Sequence, residues 1–379
     1  MLDRGSILYV GNFELPDRGA SANRVVGNGK LFNLLGFRTV FLGITRDRTS
    51  LGITQKSTDM YEEPYPQNTV QWFRHMFSVS SIRAVIEKTR EPDLIILYNS
   101  LYSLLCSVKR AFPNTKIVYD CTEWSDTTDG SIVKRAVKKA DERNIRMKID
   151  HVADGLIVVS TLMQRSYHND HILLLPPLVD ADDAIWRQPI EKEDDRFAFC
   201  FSGMLDGNKD SLDLIVRAFI GLTDTKTVLR IIGVKRESFF EQYPDLYAAS
   251  EKLGDRLVFM GLQSHAEALR YVQNSDCNLM IRASDRRNMA GFPTKFAEAY
   301  TTGRSIITTD TSDVRTYADQ WENSFVVEYN EENIRAAMEK AIVQKNAGTG
   351  LRRDFHFASF GPACEAWLSD LISTRVSSC

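Results

Sequence analysis

The 379-residue chain is poor in paired cysteine. Its six cysteines stand at 106, 121, 200, 277, 364 and 379, and none forms a CxxC pair. No His/Cys cluster has zinc spacing, so neither a disulfide framework nor a structural zinc is expected. Several of these thiols lie in apolar runs such as FAFCF and DCNLMI, where cysteine packs as a small hydrophobe, in keeping with a reducing cytoplasm. An excess of one charge is also missing. Lys+Arg total 47 against 50 Asp+Glu, a net charge of −3, which excludes a dedicated nucleic-acid binder. No apolar run approaches the ~20 residues of a spanning helix, and MLDRGSILYVGNF has no signal-peptide core, so any membrane contact is expected to be peripheral. There is no GxGxxG and no Walker motif, which disfavours P-loop chemistry and the usual NAD fingerprint. What remains is ordinary globular composition, 43% hydrophobic and 26% charged, in a chain long enough for two domains.

Short apolar runs alternate with amphipathic stretches, the rhythm of α/β domains with parallel sheets. ILYVGNF (7–13), RTVFL (38–42), LIILY (94–98), KIVYD (116–120), GLIVVS (155–160) and ILLL (172–175) read as strands. Helices are expected at 21–35, 101–112 and 132–152. Residues 45–80, with Pro64 and Pro66 among scattered charges, read as a long loop. A polar stretch, RQPIEKEDDR (187–196), precedes a second series. FAFCFSG (197–203), TVLRIIG (227–233), RLVFMG (256–261), CNLMI (277–281) and SIITT (305–309) read as strands. Helices are expected at 211–222, 237–253, 264–274, 294–302 and 331–343. A closing helix is expected in 354–372, with Gly361-Pro362 at its start. The expected domains are 1–185 and 186–354, with 355–379 packing back on the first. Two doubly wound domains imply a cleft, with ligands at the carboxyl ends of the strands.

Five segments are candidates for chemistry. In NFELPDRGASANR (12–24), Gly19 permits close backbone approach, Ser21 is a good N-cap, and Arg24 adds charge near helix amides that could meet an anion. The alternative is a plain capped turn. YDCTEWSD (119–126) places Asp120, Glu123 and Asp126 beside Trp124 at the end of a strand, as a site that binds hydroxyls or moves a proton, or as a solvated acidic loop. The helix from Ser131 to Val152 carries Lys134, Arg135, Lys138, Lys139, Arg143, Arg146 and Lys148 against Asp141, Glu142 and Asp150. Such a helix either attracts anionic lipid or a polyanionic acceptor, or is simply solvated. FSGMLDGNKDS (201–211) offers Gly203 and Lys209 at a helix start, suited to a diphosphate. In RASDRRNMAGFPTKFAEAYTTGRSIITTD (282–310), Gly291-Phe292-Pro293 leads into a helix with Lys295 and Glu298. Helix-start amides and Lys295 suit an anion, and Glu298 could accept hydrogen bonds from vicinal hydroxyls. The alternative is an exposed i,i+3 ion pair.

This last segment resembles the donor-site segment of the family 4 (group 1) glycosyltransferases. The resemblance extends to GLIVVSTLMQRSY (155–167) with LPPLVD (175–180), to FSGMLDGNKDSLDLIVRAF, and to RLVFMGLQSHAEALRYVQNSDCNLMIR, all in family order. It implies the GT-B architecture, two Rossmann-like domains facing each other across a cleft, and transfer of a sugar from a nucleotide-diphosphate sugar to an acceptor hydroxyl with retention. By position, Lys209 matches the lysine on the donor diphosphate and Glu298 the glutamate on the ribose. Gly291, Phe292, Pro293, Thr294 and Lys295 match the loop facing the diphosphate and sugar. Gly203 belongs to the strand–loop–Lys–helix segment, and Gly19 to the loop that closes over the donor. Leu262 sits where the base is read by backbone contacts. Asp120 and Glu123 match a region near the sugar, the expected catalytic positions, with Arg24 on the acceptor side.

Three departures stand out. Ala290 occupies the first of two glutamate positions, which leaves sugar hydroxyls to Asp285 or Asn288. Met204 replaces an arginine, and the histidine often found in the first-domain loop is absent from DCTEW. The resemblance implies no metal and no cofactor beyond the nucleotide sugar as co-substrate. It implies a glycan or lipid-linked acceptor, as in polysaccharide or glycolipid biosynthesis. No nucleic-acid partner is expected, and location is cytoplasmic with a peripheral contact at the inner membrane face through the helix 131–152. The competing readings are a non-catalytic partner subunit and a UDP-sugar 2-epimerase-type isomerase.

Overall fold

The computed structural model describes residues 4–124, 132–187, 195–205, 209–344 and 350–373. The chain divides into two compact units. One runs through Leu178 and takes in the chain from Phe357; the other is Val179–His356.

The first unit is built on eight strands: β1 (Gly5–Gly11), β2 (Phe37–Thr45), β3 (Thr54–Ser57), β4 (Met60–Pro64), β5 (Leu94–Tyr98), β6 (Lys116–Cys121), β7 (Gly155–Val158) and β8 (Ile172–Leu174). Their order is β3-β4-β2-β1-β5-β6-β7-β8. All pairs are parallel except β3 with β4. The central strands are buried almost throughout, as expected of parallel strands covered on both faces. Ile7, Tyr9, Ile96, Val118 and Ile157 lie in the core, joined by Trp367, Leu368 and Leu371 of the helix Gly361–Ser373. That helix begins at Gly361-Pro362, and Trp367 Nε1 donates to the His171 carbonyl at 3.0 Å.

The second unit has six strands, all parallel: β9 (Phe197–Ser202), β10 (Thr227–Ile232), β11 (Leu257–Gly261), β12 (Cys277–Met280), β13 (Ser305–Thr309) and β14 (Ser324–Val327). Their order is β11-β10-β9-β12-β13-β14. Phe199, Phe201, Ile215, Phe219, Leu229 and Ile231 form its interior.

Four local expectations are corrected. Residues 45–80 hold β3, β4 and the helix Thr69–His75 rather than one loop. β3 is TQKS, exposed along its length, a polar edge strand without the apolar signal that marks the others. The stretch 237–253 is not one helix but Arg236–Gln242, a 3-10 turn Pro244–Leu246 and Tyr247–Glu251. Pro244 lacks the N–H that a continuous helix needs. β14 is only half-buried and was not expected. The helix Ala20–Leu34 starts two residues earlier than a Ser21 N-cap suggests, with Gly19 as its N-cap. Asp126, Ser131, residues 188–194 of the polar stretch, residues 206–208 and residues 374–379 lie outside the described residues.

Candidate functional site

Each sheet reverses its strand order once, between β1 and β5 in the first unit and between β9 and β12 in the second. Open α/β sheets bind ligands at such points, outside the carboxyl ends of the strands. The segments after β1, β9 and β12 singled out in the sequence all reach these places.

In the second unit the centre of the site is Asp210, which the sequence reading passed over. Its carboxylate is 4% exposed, accepts Arg282 Nε at 2.6 Å, and is paired with the Lys295 ammonium. Burial alone would raise its pKa; the charges of Lys295 and Arg282 outweigh burial and hold it below the ordinary carboxyl value. Burial lowers the Lys295 pKa, with Asp210 opposing. One carboxylate faces two cations, so the cluster carries a net positive charge. Arg282 is 11% exposed and Lys295 33%, so the lysine is the cation that still meets solvent. Gly203 makes the space for it. A Cβ built there would overlap the Lys295 ammonium and stand 2.9 Å from the Phe201 ring. The ammonium lies 5.3 Å from that ring's centroid.

Lys295 sits in the first turn of the helix Thr294–Thr301, whose N-cap Pro293 contributes no side-chain cap. First-turn amides there have no intrahelical acceptor and face outward as donors for an anion. One turn on, Glu298 Oε1 is 2.8 Å from His265 Nε2, and its other oxygen has no hydrogen-bond partner among the described residues. Lys209 is half-buried beside Asp210. Leu262 is 68% exposed and follows Gly261, whose φ is 64°. Gly291 is the C-cap of the short helix Arg286–Ala290. Asp285 is that helix's N-cap. It accepts from Asn288 N at 2.8 Å, and the Asn288 side chain donates to Ala283 O and Asp285 Oδ2, both at 3.0 Å. Asn288 is therefore a buried loop brace, while Asp285 stays exposed. Phe292 is an anchor, 8% exposed and packed on Phe296, Tyr317 and Phe355. A groove of about 780 Å³ lies beside this cluster at the ends of β13 and β14, bordered by Ser284, Thr309, Arg315 and Tyr329.

The first unit places its residues differently. Asp120, at the end of β6, is 0% exposed. Arg24 grips it with Nη2–Oδ1 at 2.7 Å and Nε–Oδ2 at 3.2 Å, and Tyr9 donates its hydroxyl to Oδ2. Arg24 spends its remaining nitrogen on Leu175 O at 3.0 Å, and Asn28 donates to Tyr9 Oη at 3.0 Å. Burial, with Asp120 adding to it, drives the Tyr9 pKa well up, so the phenol keeps its proton. Asp120 and Arg24 thus form one closed network in the interior. Gly19 stands apart from it, exposed, with φ 95° and open space where a Cβ would be. Glu123 and Trp124 are half-buried, and Trp124 Nε1 donates to Tyr167 Oη at 3.1 Å.

Among the described residues one trio could hold a metal ion: Asp180, Asp182 and His356. Its donors have protein partners already. His356 Nδ1 accepts from Ala181 N at 3.2 Å, and Asp182 is forked by Arg353.

Comparison with known proteins bears on the fold. Three of the solved structures to which the chain is similar over nearly its whole length serve as examples. These are sucrose-phosphate synthase from Thermosynechococcus elongatus (13% identity, 98% of this chain and 100% of that one, TM-score 0.72), HepE of Anabaena in complex with UDP and glucose (12%, 97% and 100%, 0.66), and the catalytic domain of starch synthase IV from Arabidopsis thaliana bound to ADP and acarbose (11%, 97% and 99%, 0.67). Likeness at this identity establishes the fold: two Rossmann-like α/β domains of the GT-B class. Residues 182–355, a stretch lying within the second unit, match the family model described as Glycosyl transferases group 1. No curated protein matches the chain in sequence.

Proposed function

We propose that the chain transfers a sugar from a nucleotide-diphosphate sugar to an acceptor hydroxyl, with the donor held by the second unit. The observation that carries this reading is the Asp210–Arg282–Lys295 cluster at the switch point, with its net positive charge and one cation open to solvent. A leaving diphosphate needs cations and oriented N–H groups, because charge builds on it as the glycosidic bond breaks. Lys295, Lys209 and the amides of Thr294 and Lys295 supply them, over the gap that Gly203 leaves. Neutralisation of this kind needs no divalent metal, and we expect turnover to survive a chelator.

Glu298 accepts hydrogen bonds from the ribose through its unoccupied oxygen, while His265 steadies the other. The backbone around Gly261 and Leu262 meets the base. Asp285 faces the sugar hydroxyls, with Gly291, Phe292, Pro293 and Asn288 holding the loop in shape. In the first unit Gly19 opens the helix-start amides toward the donor. Glu123 is the half-buried carboxyl of its loop, and Arg24 and Asp120 act by positioning that strand end. Retention of configuration rests on the family resemblance, and a product of inverted anomeric configuration by NMR would remove it. The acceptor is a glycan or lipid-linked sugar, made in the cytoplasm. No described helix is long and apolar enough to cross a membrane. Of the basic helix Ile132–Val152, Arg135, Lys139 and Arg143 are exposed at i,i+4 spacing and form one stripe suited to anionic lipid. Liposome co-sedimentation unchanged when all three become Ala would rule out that contact.

The test of the donor reading is a thermal-shift panel of nucleoside diphosphates and their sugars, with Glu298→Ala beside it. A ligand at 100-fold its Kd adds about 2.7 kcal/mol of stability. We expect one nucleotide to raise the midpoint of the wild type and to do so far less in the variant. No shift with any nucleotide would favour a non-catalytic partner subunit, the reading to which Ala290 (0% exposed) and Met204 (63% exposed) would then belong.

A further inference from the structure

The first unit contains a pocket of about 260 Å³ that the donor reading does not use. It opens at the carboxyl ends of β5 and β6. Its walls are the loop after β5 (Asn99–Leu101), the loop after β6 (Cys121–Trp124), Tyr167, and one face of the basic helix. Lys138, Asp141, Glu142, Ile145 and Arg146 all border it, at the 3- and 4-residue steps of a single helix face.

The walls are braced by contacts made within the first unit. Asn99 has φ 42°, a left-handed conformation that asparagine tolerates better than most residues. Its amide donates to Thr122 Oγ1 at 2.6 Å and accepts from Thr122 N at 3.0 Å, which stitches the two loops together. Tyr119 donates to Ser100 O at 2.7 Å. Asp141 spends both oxygens on the amides of Tyr102 and Ser103, at 2.7 and 3.2 Å. Its charge answers a helix start rather than the pocket. Lys138 and Arg146 are different. They line the pocket and make no ion pair or hydrogen bond among the described residues. Two neighbouring cations of the same helix are occupied: Lys134 lies over Trp72 and Lys148 over Tyr102.

We propose that this pocket binds one sugar ring bearing an acidic group, as the acceptor-side subsite of the transferase. The proposal rests on the glycosyltransferase reading above and adds the chemical class of the acceptor. Small-molecule sites run about 300–1,000 Å³, so 260 Å³ suits one ring and is too small for a nucleotide sugar. Tyr119, Trp124 and Tyr167 give the apolar and aromatic wall that a sugar ring packs against, and Glu123 can accept from its hydroxyls. Lys138 and Arg146 supply charge-assisted donors for a phosphate or carboxylate on the ring.

The test uses the full chain, with ligand-observed saturation-transfer NMR on methyl hexosides, hexose 1-phosphates and hexuronic acids. Affinity for a nucleoside diphosphate is measured in parallel. We expect at least one acidic sugar to bind better than its neutral counterpart. Lys138→Gln and Arg146→Gln should each weaken it roughly tenfold, the equivalent of about 1.4 kcal/mol, at unchanged thermal midpoint and nucleotide affinity. Preference for hexose phosphates marks a phosphorylated acceptor, and preference for hexuronates an acidic glycan; both support the proposal. Equal binding of neutral and acidic sugars, or binding untouched by either substitution, overturns it. So does the absence of sugar binding by a chain that still binds the nucleotide. A chain that binds sugars but no nucleotide overturns the donor reading instead.

Discussion

Each unit places a carboxylate and an arginine at the end of a central strand, and the two pairs are put to different uses. Asp120 and Arg24 in the first unit are 0% and 3% exposed, with the Tyr9 hydroxyl and the Leu175 carbonyl as their further partners. Asp210 and Arg282 in the second are 4% and 11% exposed, but a third group, Lys295, keeps 33% of its side chain open. A closed pair spends its charges on each other and fixes the strand end and helix around it. An open triad has one charge more than it needs internally, and that surplus is available to a ligand. Sequence motifs cannot separate the two cases. What separates them is whether a third charge reaches the carboxylate from a side that water can reach.

The largest effect should come from breaking the closed pair. Asp120→Asn leaves Arg24 buried without a counter-charge, a change that costs about 3–5 kcal/mol. Asp210→Asn should cost less, about 1–3 kcal/mol, because Lys295 can turn to water. Calorimetric scans of the two variants decide this, and a greater loss in Asp210→Asn would break the comparison. The pH dependence sharpens it. The folded pKa of Asp210 is depressed, so its contribution is complete above the ordinary carboxyl pKa of about 4 and is lost as pH falls through the lower folded value. Wild type and Asp210→Asn should therefore converge in stability in strong acid.

A smaller effect is expected at Gly203. Alanine there would overlap the end of a flexible lysine and press on the buried Phe201 ring 2.9 Å away. Stability should fall by about 1 kcal/mol, while nucleotide affinity falls severalfold because the ammonium is displaced. Unchanged affinity by titration would show that the ammonium's position does not matter to the ligand.

Much of the fold was legible because parallel strands buried on both faces leave unbroken apolar runs, as in LIILY and FAFCF. β3 and β14 were not, since an exposed TQKS and a half-buried SFVV carry little of that signal. In the site, Lys295, Glu298, Gly203 and Lys209 were singled out in the sequence, and the structure sets Lys295 against Gly203 and Asp210 and pairs Glu298 with His265. Asp210 was passed over because an aspartate beside a lysine in a polar loop looks like any solvated pair until the fold delivers Arg282 and Lys295 to it. Arg24 did carry a signal that was not used. Arg24 and Asn28 stand i,i+4 on the face that holds Val25, Leu31 and Phe32, all buried, where two polar residues demand internal partners.

The most direct measurement is calorimetric titration of the wild type and Lys295→Gln with UDP, ADP and GDP. Removing the ammonium leaves Asp210 and Arg282 as a balanced pair, so the variant should fold. If the surplus charge of the open triad holds the donor diphosphate, one nucleotide binds the wild type and binds the variant at least about tenfold more weakly, a loss of about 1.4 kcal/mol or more. Equal affinity in the two proteins would contradict that claim.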